Sequence, residues 1–203
     1  MARPNITAVH RKAMANLSRI NTFLQKSQSI PPSMRGFVAE ILMLRLFSIL
    51  EESVRETACR VACGVAYRNG TVATPIRRCA NLTDAINQFK TYNRRQRLQK
   101  LRFTNFSQTR NSVINIIPNG EPFLTKLGLH GADFDEMRKI RNHIAHRHRN
   151  TYLDYKQIII HRYGAYIKQT PGVFLISTSR SPRSKIEEYY IKIKVIINDI
   201  TSG

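Results

Sequence analysis

Apolar residues in the first third of the chain repeat with the period of an α-helix, and this pattern limits the possible folds more than any other feature. Between residues 8 and 26 they recur every three or four positions, so they would share one helix face: Ala13, Leu17, Ile20 and Leu24. Pro31-Pro32-Ser33 then interrupts the chain, and the next predicted helix is apolar on nearly every side over residues 41–50. Such a helix is usually buried at the centre of a bundle. We therefore predict an all-α bundle built around a helix over residues 34–66.

Shorter patterns predict further helices and one ambiguous segment. Helical periods cover four more stretches: residues 82–102, 134–149, 152–163 and 184–200. Asp133 followed by Glu136 is an Asp version of a capping box, and it sets the predicted start of the helix over 134–149. Residues 173–176 are an apolar run after Thr170-Pro171-Gly172 and are a candidate for a short extended segment. Because no repeat or shift in composition divides the chain, we expect one domain over residues 1–203.

Basic residues dominate the charge of the chain. There are 33 Lys and Arg residues against 13 Asp and Glu residues, which gives a formal net charge of +20. So large a charge repels itself unless a polyanion neutralises it, which makes nucleic acid the expected partner and an anionic membrane surface the alternative. The apolar content of 42% excludes global disorder.

Neither the apolar stretches nor the cysteines suggest a membrane or secreted protein. The most apolar stretch, Phe37–Leu50, contains Glu40 and Arg45, so it is too short and too charged to span a bilayer. The basic residues of the N-terminus are not followed by the apolar region of a secretory signal. The three cysteines are odd in number and sparse, which disfavours a disulfide framework: Cys59, Cys63 and Cys79. We expect a cytoplasmic protein with no membrane partner.

The segment Arg138–His148 concentrates the residue types that carry chemistry. On a helix, the nearby apolar residues would lie within a sector of about 120° that faces the core: Phe134, Met137, Ile140 and Ile144. Arg138, Asn142 and His146 are four residues apart, so they would form a stripe on roughly the opposite side. Arg141 lies on the flank, and its side chain is long enough to reach round. We therefore predict that this helix presents these polar side chains to solvent or to a partner.

Arg141-Asn142-His143-Ile144-Ala145-His146 follows an Arg-polar-xxx-His pattern on a capped helix, late in a basic all-α chain. In this the chain resembles the HEPN superfamily, and specifically its RiboL-PSP-type members. The apolar helix that ends in residues 47–52 and the terminal helix after Thr170-Pro171-Gly172 add to the resemblance. It covers roughly residues 7–200 and implies a HEPN-like helical bundle.

Two features depart from the family pattern. Arg147 stands where a small residue usually follows the histidine, and Arg138 and His148 create overlapping Arg–His motifs. His143 and His148 are therefore alternatives to His146 as the working histidine.

The resemblance implies a metal-independent endoribonuclease that needs no cofactor, and it assigns catalysis to Arg141, Asn142 and His146. The 2′-OH of RNA would attack the adjacent phosphorus while the imidazole moves protons and the guanidinium stabilises charge, leaving 2′,3′-cyclic phosphate and 5′-hydroxyl ends. Arg138 and Arg147 would contact RNA. The resemblance also implies a homodimer whose motifs meet in one cleft. The expected role is a toxin or phage-defence effector, with a cognate antitoxin or defence-system protein as a further partner.

A second candidate RNA contact is the stretch between Asp84 and Glu121, which contains no acidic residue. Basic and aromatic side chains are interleaved there, a combination that can bind phosphates and stack bases. We predict RNA contacts at Arg94, Arg95, Arg97 and Lys100. The alternative is a solvated basic helix whose aromatic residues face the core: Tyr92, Phe103 and Phe106.

Other functional classes are weaker alternatives. One is a non-catalytic HEPN-like module that binds RNA or a protein; another is a basic DNA-binding bundle, for which no helix-turn-helix or zinc-finger spacing is present. A metal site at His143, His146 and His148 is disfavoured, because no acidic residue or cysteine is interleaved and the flanking arginines would repel a cation. Cys59 and Cys63 are expected to be small core residues.

Overall fold

The computed structural model describes residues 5–91, 101–179 and 181–203. These residues form nine α-helices and no β-strand, with one isolated β-bridge between Ala66 and Val72. The all-α class is therefore confirmed for this part of the chain. The helices are α1 (Ile6–Ser27), α2 (Pro32–Ala62), α3 (Leu82–Thr91), α4 (Phe106–Val113), α5 (Pro122–Leu129), α6 (Gly131–His146), α7 (Arg149–Tyr163), α8 (Pro171–Ile176) and α9 (Lys185–Ser202).

The long helix α2 is the central element of the bundle and packs against α1, α6, α8 and α9. Its inward face is wholly buried, as the apolar run predicted: Met43, Leu46, Leu50 and Val54. The opposite face is open at Ile41, Arg45 and Ser48. Neither α2 nor any other helix in the described ranges has the length and apolar character needed to cross a membrane.

The first and last helices close the bundle on α2 and lie against each other. The predicted stripe of α1 is buried throughout: Ala13, Leu17, Ile20 and Leu24. Asn5 caps this helix by accepting a hydrogen bond from the backbone N–H of Thr7 at 2.7 Å. α9 lies within two residues of the predicted 184–200 at each end, and it begins with a capping box in which the Glu187 carboxylate accepts a hydrogen bond from the backbone N–H of Ser184 at 2.9 Å.

The predicted start of α6 at Asp133 is wrong. The helix begins at Gly131, since the two carboxylates of the expected capping box bind neighbouring helices instead. Asp133 pairs with Lys192 of α9, and Glu136 accepts hydrogen bonds from Tyr189 and Arg162. These long-range partners outcompete the local cap that the sequence suggested.

The predicted end of this helix near residue 149 is also wrong. α6 ends at His146, because Arg147 adopts the left-handed conformation with φ 44° and ψ 32°. A new helix, α7, then begins at Arg149 and packs against α6. The histidine-rich segment therefore forms a corner between two helices.

The candidate extended segment at residues 173–176 is helical, so that prediction is wrong. α8 covers Pro171–Ile176; the Thr170 hydroxyl accepts a hydrogen bond from the Val173 N–H at 3.4 Å, and proline occupies the first turn. Phe174 and Leu175 are fully buried. A short apolar run is compatible with a buried strand or a buried helix, and here the cap favours the helix.

The helix predicted over residues 82–102 is described only in part. α3 covers Leu82–Thr91, and Leu101 and Arg102 belong to no helix, so the predicted helix does not extend to residue 102. Residues 92–100 lie outside the described part of the chain, and with them the predicted RNA contacts Arg94, Arg95, Arg97 and Lys100.

α8 crosses α2 at a contact between two glycines. A Cβ atom built on Gly172 would lie 2.7 Å from the carbonyl oxygen of Gly36, which is too close for any side chain. The N–H of Gly172 also donates a 2.9 Å hydrogen bond to Oε1 of Glu40, one turn further along α2. The close crossing is therefore possible because residue 172 is a glycine and has no Cβ atom.

We expect Gly172→Ala to destabilise the protein by about 1–3 kcal/mol, because the added methyl group must push two backbones apart. Gly120→Ala is the matched control, since nothing lies within 4 Å of a Cβ at that position. Urea unfolding measures both variants. Equal stability of the two would show that the α2–α8 crossing tolerates a side chain.

Candidate active site

The corner between α6 and α7 carries a dense positive charge. Residues 137–153 include no Asp or Glu, but they contain five Arg or Lys residues and three His residues. The core face predicted for this helix is confirmed, since its four apolar residues are buried: Phe134, Met137, Ile140 and Ile144. The basic side chains consequently lie on the remaining faces, where their repulsion makes an anion a favourable ligand.

Arg141 is held between an aromatic ring and an amide. Its guanidinium carbon lies 5.8 Å from the centre of the buried Phe47 ring on α2, and its Nη1 donates a 3.1 Å hydrogen bond to Oδ1 of Asn142. A guanidinium has five N–H donors in a planar fork, so most remain for a ligand. The structure thus brings Arg141 and Asn142 together, with Arg141 on the flank of the core face.

Arg138 is already engaged by an acidic neighbour on its own helix. Its Nη2 donates to Oδ1 of Asp135 at 2.7 Å, and Lys139 binds the other carboxylate oxygen at 2.9 Å. Burial alone would raise the pKa of Asp135, but the hydrogen bonds from Lys139 and Arg138 outweigh it and lower that pKa. A phosphate at Arg138 would have to compete with this carboxylate.

Arg147 has a buried partner that the sequence analysis did not identify. Its Nη2 lies 2.6 Å from Oε2 of Glu40, whose side chain is only 10% exposed. The Arg147 side chain is itself 64% exposed, so part of the guanidinium stays open to solvent. The only signal for Glu40 in the sequence was a charge inside the apolar run Phe37–Leu50, where a buried acid needs a partner.

The three histidines of the corner have different environments. His143 stacks on Tyr155 with ring centres 5.0 Å apart, and its Nδ1 lies 3.3 Å from the Thr151 hydroxyl. His148 caps α7 by accepting the Thr151 N–H at Nδ1 over 3.4 Å. His146 is exposed, and within the described ranges its imidazole has no hydrogen bond, only the His148 ring stacked 6.2 Å away.

The aromatic residues of the second predicted RNA contact face the core where they are described. Phe103 is buried and packs edge-on against Phe89, with ring centres 6.4 Å apart. Phe106 is partly buried and lies against Gly128 and Gly131. The buried Phe103 ring is not available to stack bases and the Phe106 ring is partly covered, whereas Tyr92 lies outside the described residues.

The described residues include no group of three His, Cys, Asp or Glu side chains placed to hold a metal ion. Cys59, Cys63 and Cys79 are free thiols buried in the core, which confirms the prediction for Cys59 and Cys63. Burial raises the pKa of the Cys59 thiol to about 12, so the reactive thiolate is disfavoured.

Comparisons of the chain with protein-family models, with curated proteins and with solved structures find no match. What the site can do chemically follows from its side chains. The guanidinium of Arg141 can bind phosphate oxygens with its free N–H groups. The exposed imidazole of His146, five residues further along α6, can accept and return a proton.

His143 makes stability depend on pH. The pKa of His143 lies below the ordinary 6.5, mainly because the ring is partly buried and also because the positive charge of Arg147 is near. The unfolded chain therefore binds this proton more readily than the folded protein. The contribution of the neutral His143 ring to stability is fully present above about pH 6.5, and it is lost as the pH falls from there through the lower pKa of the folded protein.

We expect His143→Gln to reduce the loss of unfolding free energy between about pH 7 and pH 5, because the titrating ring is gone. Denaturant unfolding at several pH values measures this difference. His161→Gln, on an exposed position of α7, is the matched control and should keep the full pH dependence. An unchanged slope in His143→Gln would contradict the assignment.

Proposed function

We propose that the protein is a metal-independent endoribonuclease of the HEPN type. In this reaction the 2′-oxygen of RNA attacks the adjacent phosphorus and the 5′-oxygen of the next nucleotide leaves. The products are a 2′,3′-cyclic phosphate and a 5′-hydroxyl. The observation that carries the proposal is the pair on α6: a guanidinium anchored at Arg141 and, at His146, an exposed imidazole that has no hydrogen bond in the described part of the chain.

Arg141 is suited to bind the phosphate that is cut. Attack by the 2′-oxygen adds negative charge to the non-bridging oxygens, and a fixed cation stabilises that charge without having to reorient. The contacts with Phe47 and Asn142 hold the guanidinium in place before RNA arrives. Asn142 therefore acts through Arg141 as well as offering its own amide to the phosphate.

His146 is the best candidate for proton transfer among the three histidines. The ring of His143 is packed against Tyr155, and Nδ1 of His148 is used to cap α7. His146 is free of such duties in the described structure, so both of its nitrogens are open to substrate. It can take the proton of the 2′-OH or give one to the leaving 5′-oxygen.

A homodimer would supply what one protomer lacks. Cleavage needs a base at the 2′-OH and an acid at the leaving oxygen. Among the described residues of one chain, His146 is the only histidine of this corner whose ring makes no hydrogen bond. Two copies related by a two-fold axis would bring two His146 and two Arg141 side chains around one phosphate. We further propose that RNA cleavage serves as a toxin or phage-defence activity, restrained or triggered by an antitoxin or another defence protein.

A non-catalytic module that binds RNA or protein is the second candidate. It is favoured by the ion pairs of Arg138 with Asp135 and of Arg147 with Glu40, which make these two arginines partly structural. Such arginines can still contact the phosphates of a bound nucleic acid with their remaining N–H groups, without catalysing its cleavage.

Cleavage of RNA in EDTA distinguishes the two candidates. We expect the wild-type protein to cut single-stranded RNA and to leave 5′-hydroxyl and cyclic-phosphate ends. His146→Ala should lose at least about 100-fold in rate, since proton transfer is lost. Arg141→Ala should lose about 100- to 1,000-fold, since the charge on the phosphate is no longer stabilised. Mass spectrometry of the products and initial rates measure both effects.

His161→Ala is the matched control, because it removes an exposed histidine of α7 outside the motif and should cleave as wild type. A strand with a single 2′-deoxy nucleotide should be uncut at that position. Full activity of a folded His146→Ala protein would contradict the assignment, and a wild-type protein that binds RNA without cutting it would favour the non-catalytic module.

The dimer is tested by dilution. We expect specific activity to fall when the protein is diluted below its dimer dissociation constant, because each site then has one imidazole. Analytical ultracentrifugation gives that constant, and initial rates across the same concentrations give the activity. A monomer that keeps full specific activity would refute the shared site.

A further inference from the structure

A stripe of two side chains runs along α7 away from the candidate active site. Tyr152 and Lys156 are four residues apart within the helix, so their side chains are neighbours on one helix face. The stripe begins one turn after His148, the N-cap of α7, whose ring stacks on His146. Tyr152 also lies beside His143, with ring centres 5.9 Å apart.

Tyr166 joins this stripe from the segment that follows α7. The chain turns at Gly164, which has a φ of 77°, and brings the Tyr166 hydroxyl to 2.5 Å from the Tyr152 hydroxyl. The ammonium group of Lys156 lies 4.8 Å from the centre of the Tyr166 ring. The two hydroxyls thus satisfy each other, and a cation covers part of one ring.

Both tyrosines are partly exposed to solvent. Tyr152 is 39% exposed and Tyr166 is 36% exposed. Covering an exposed aromatic ring with a ligand is favourable, because it removes apolar surface from water. Two adjacent rings beside a cation can therefore bind a ligand that is flat and anionic. Nucleobases have such flat faces, and the phosphates that link them are anionic.

We propose that Tyr152, Tyr166 and Lys156 form a base-stacking subsite for single-stranded nucleic acid next to the His146 corner. One or two bases stack on the tyrosine rings, and Lys156 binds a neighbouring phosphate. The choice of RNA as ligand rests on the proposed nuclease function, whereas the stacking itself does not. The subsite would position the strand so that a phosphate beyond the stacked bases reaches Arg141 and His146.

The surroundings favour a nucleic acid over a protein surface. The centres of protein interfaces are depleted of charged residues. Here an ammonium lies over one ring, and residues 137–166 contain seven Arg or Lys residues against one acidic residue, Asp154. Cations interleaved with exposed aromatic rings are the combination by which proteins bind single strands with little sequence preference.

Binding of a strand that cannot be cleaved tests the subsite directly. The probe is a fluorescent 2′-O-methyl oligoribonucleotide, and an abasic strand of equal length and charge reports the phosphate contacts alone. Tyr152→Leu and Tyr166→Leu should each weaken binding of the base-bearing strand by roughly tenfold, because a stacking partner is lost. Binding of the abasic strand should not change.

Tyr152→Phe and Tyr166→Phe are the matched controls. They keep the rings and lose the hydroxyl–hydroxyl bond, so they should bind like the wild type. If the phenylalanine variants lose as much affinity as the leucine variants, the rings only support the local fold and the proposal is overturned. Equal losses for the abasic strand would overturn it too.

A tryptophan at either position gives an independent measurement, because the chain contains no tryptophan of its own. The fluorescence of Tyr152→Trp and Tyr166→Trp should be quenched by the base-bearing strand and much less by the abasic strand. Equal quenching by both strands would contradict stacking. A shift of the leucine variants toward monomer in sedimentation, with strand binding unchanged, would identify a protein interface instead.

The two proposals fail in different ways. If the wild-type protein cuts no RNA but the leucine variants lose base-dependent binding, the subsite stands without the nuclease. If RNA is cut and the leucine variants bind the 2′-O-methyl strand like the wild type, the nuclease stands without the subsite.

Discussion

The geometry of the candidate site depends on the contacts of the buried Glu40 carboxylate. This carboxylate lies on the central helix α2, accepts the N–H of Gly172 with one oxygen, and binds Arg147 with the other. A buried carboxylate is costly unless it is paired, so these contacts stabilise one another. They join α8 to α2 and link the left-handed residue that ends α6 to the central helix. The corner that carries three histidines follows from that turn.

The three histidines of this corner have different surroundings, although the sequence does not distinguish them. His143 packs against a buried tyrosine, His148 caps the next helix, and His146 is left exposed. Arg147 and Arg138 carry ion pairs, whereas Arg141 is anchored by a ring and an amide. The proposed division into one proton-transfer group and one phosphate-binding group arises from these contacts.

The proposed site and the proposed base-stacking subsite share one surface. Helix α7 begins at the His148 cap and carries Tyr152 and Lys156 away from it along one face. A strand bound along this face would have its bases on aromatic rings and its phosphates near cations. The net charge of +20 would make the approach of any polyanion fast and dependent on salt.

Local patterns were sufficient for the helical class, the buried faces of α1, α2 and α6, and the exposure of His146. The reason is that helical period and side-chain polarity are properties of neighbouring residues. Contacts between distant residues could not be inferred in this way. Glu40 meets partners 107 and 132 residues away, and Glu136 meets Tyr189 across 53 residues, so it could not serve as a cap. The helical form of residues 173–176 and the separate roles of the three histidines likewise depend on caps and packing partners that a single periodic pattern does not encode.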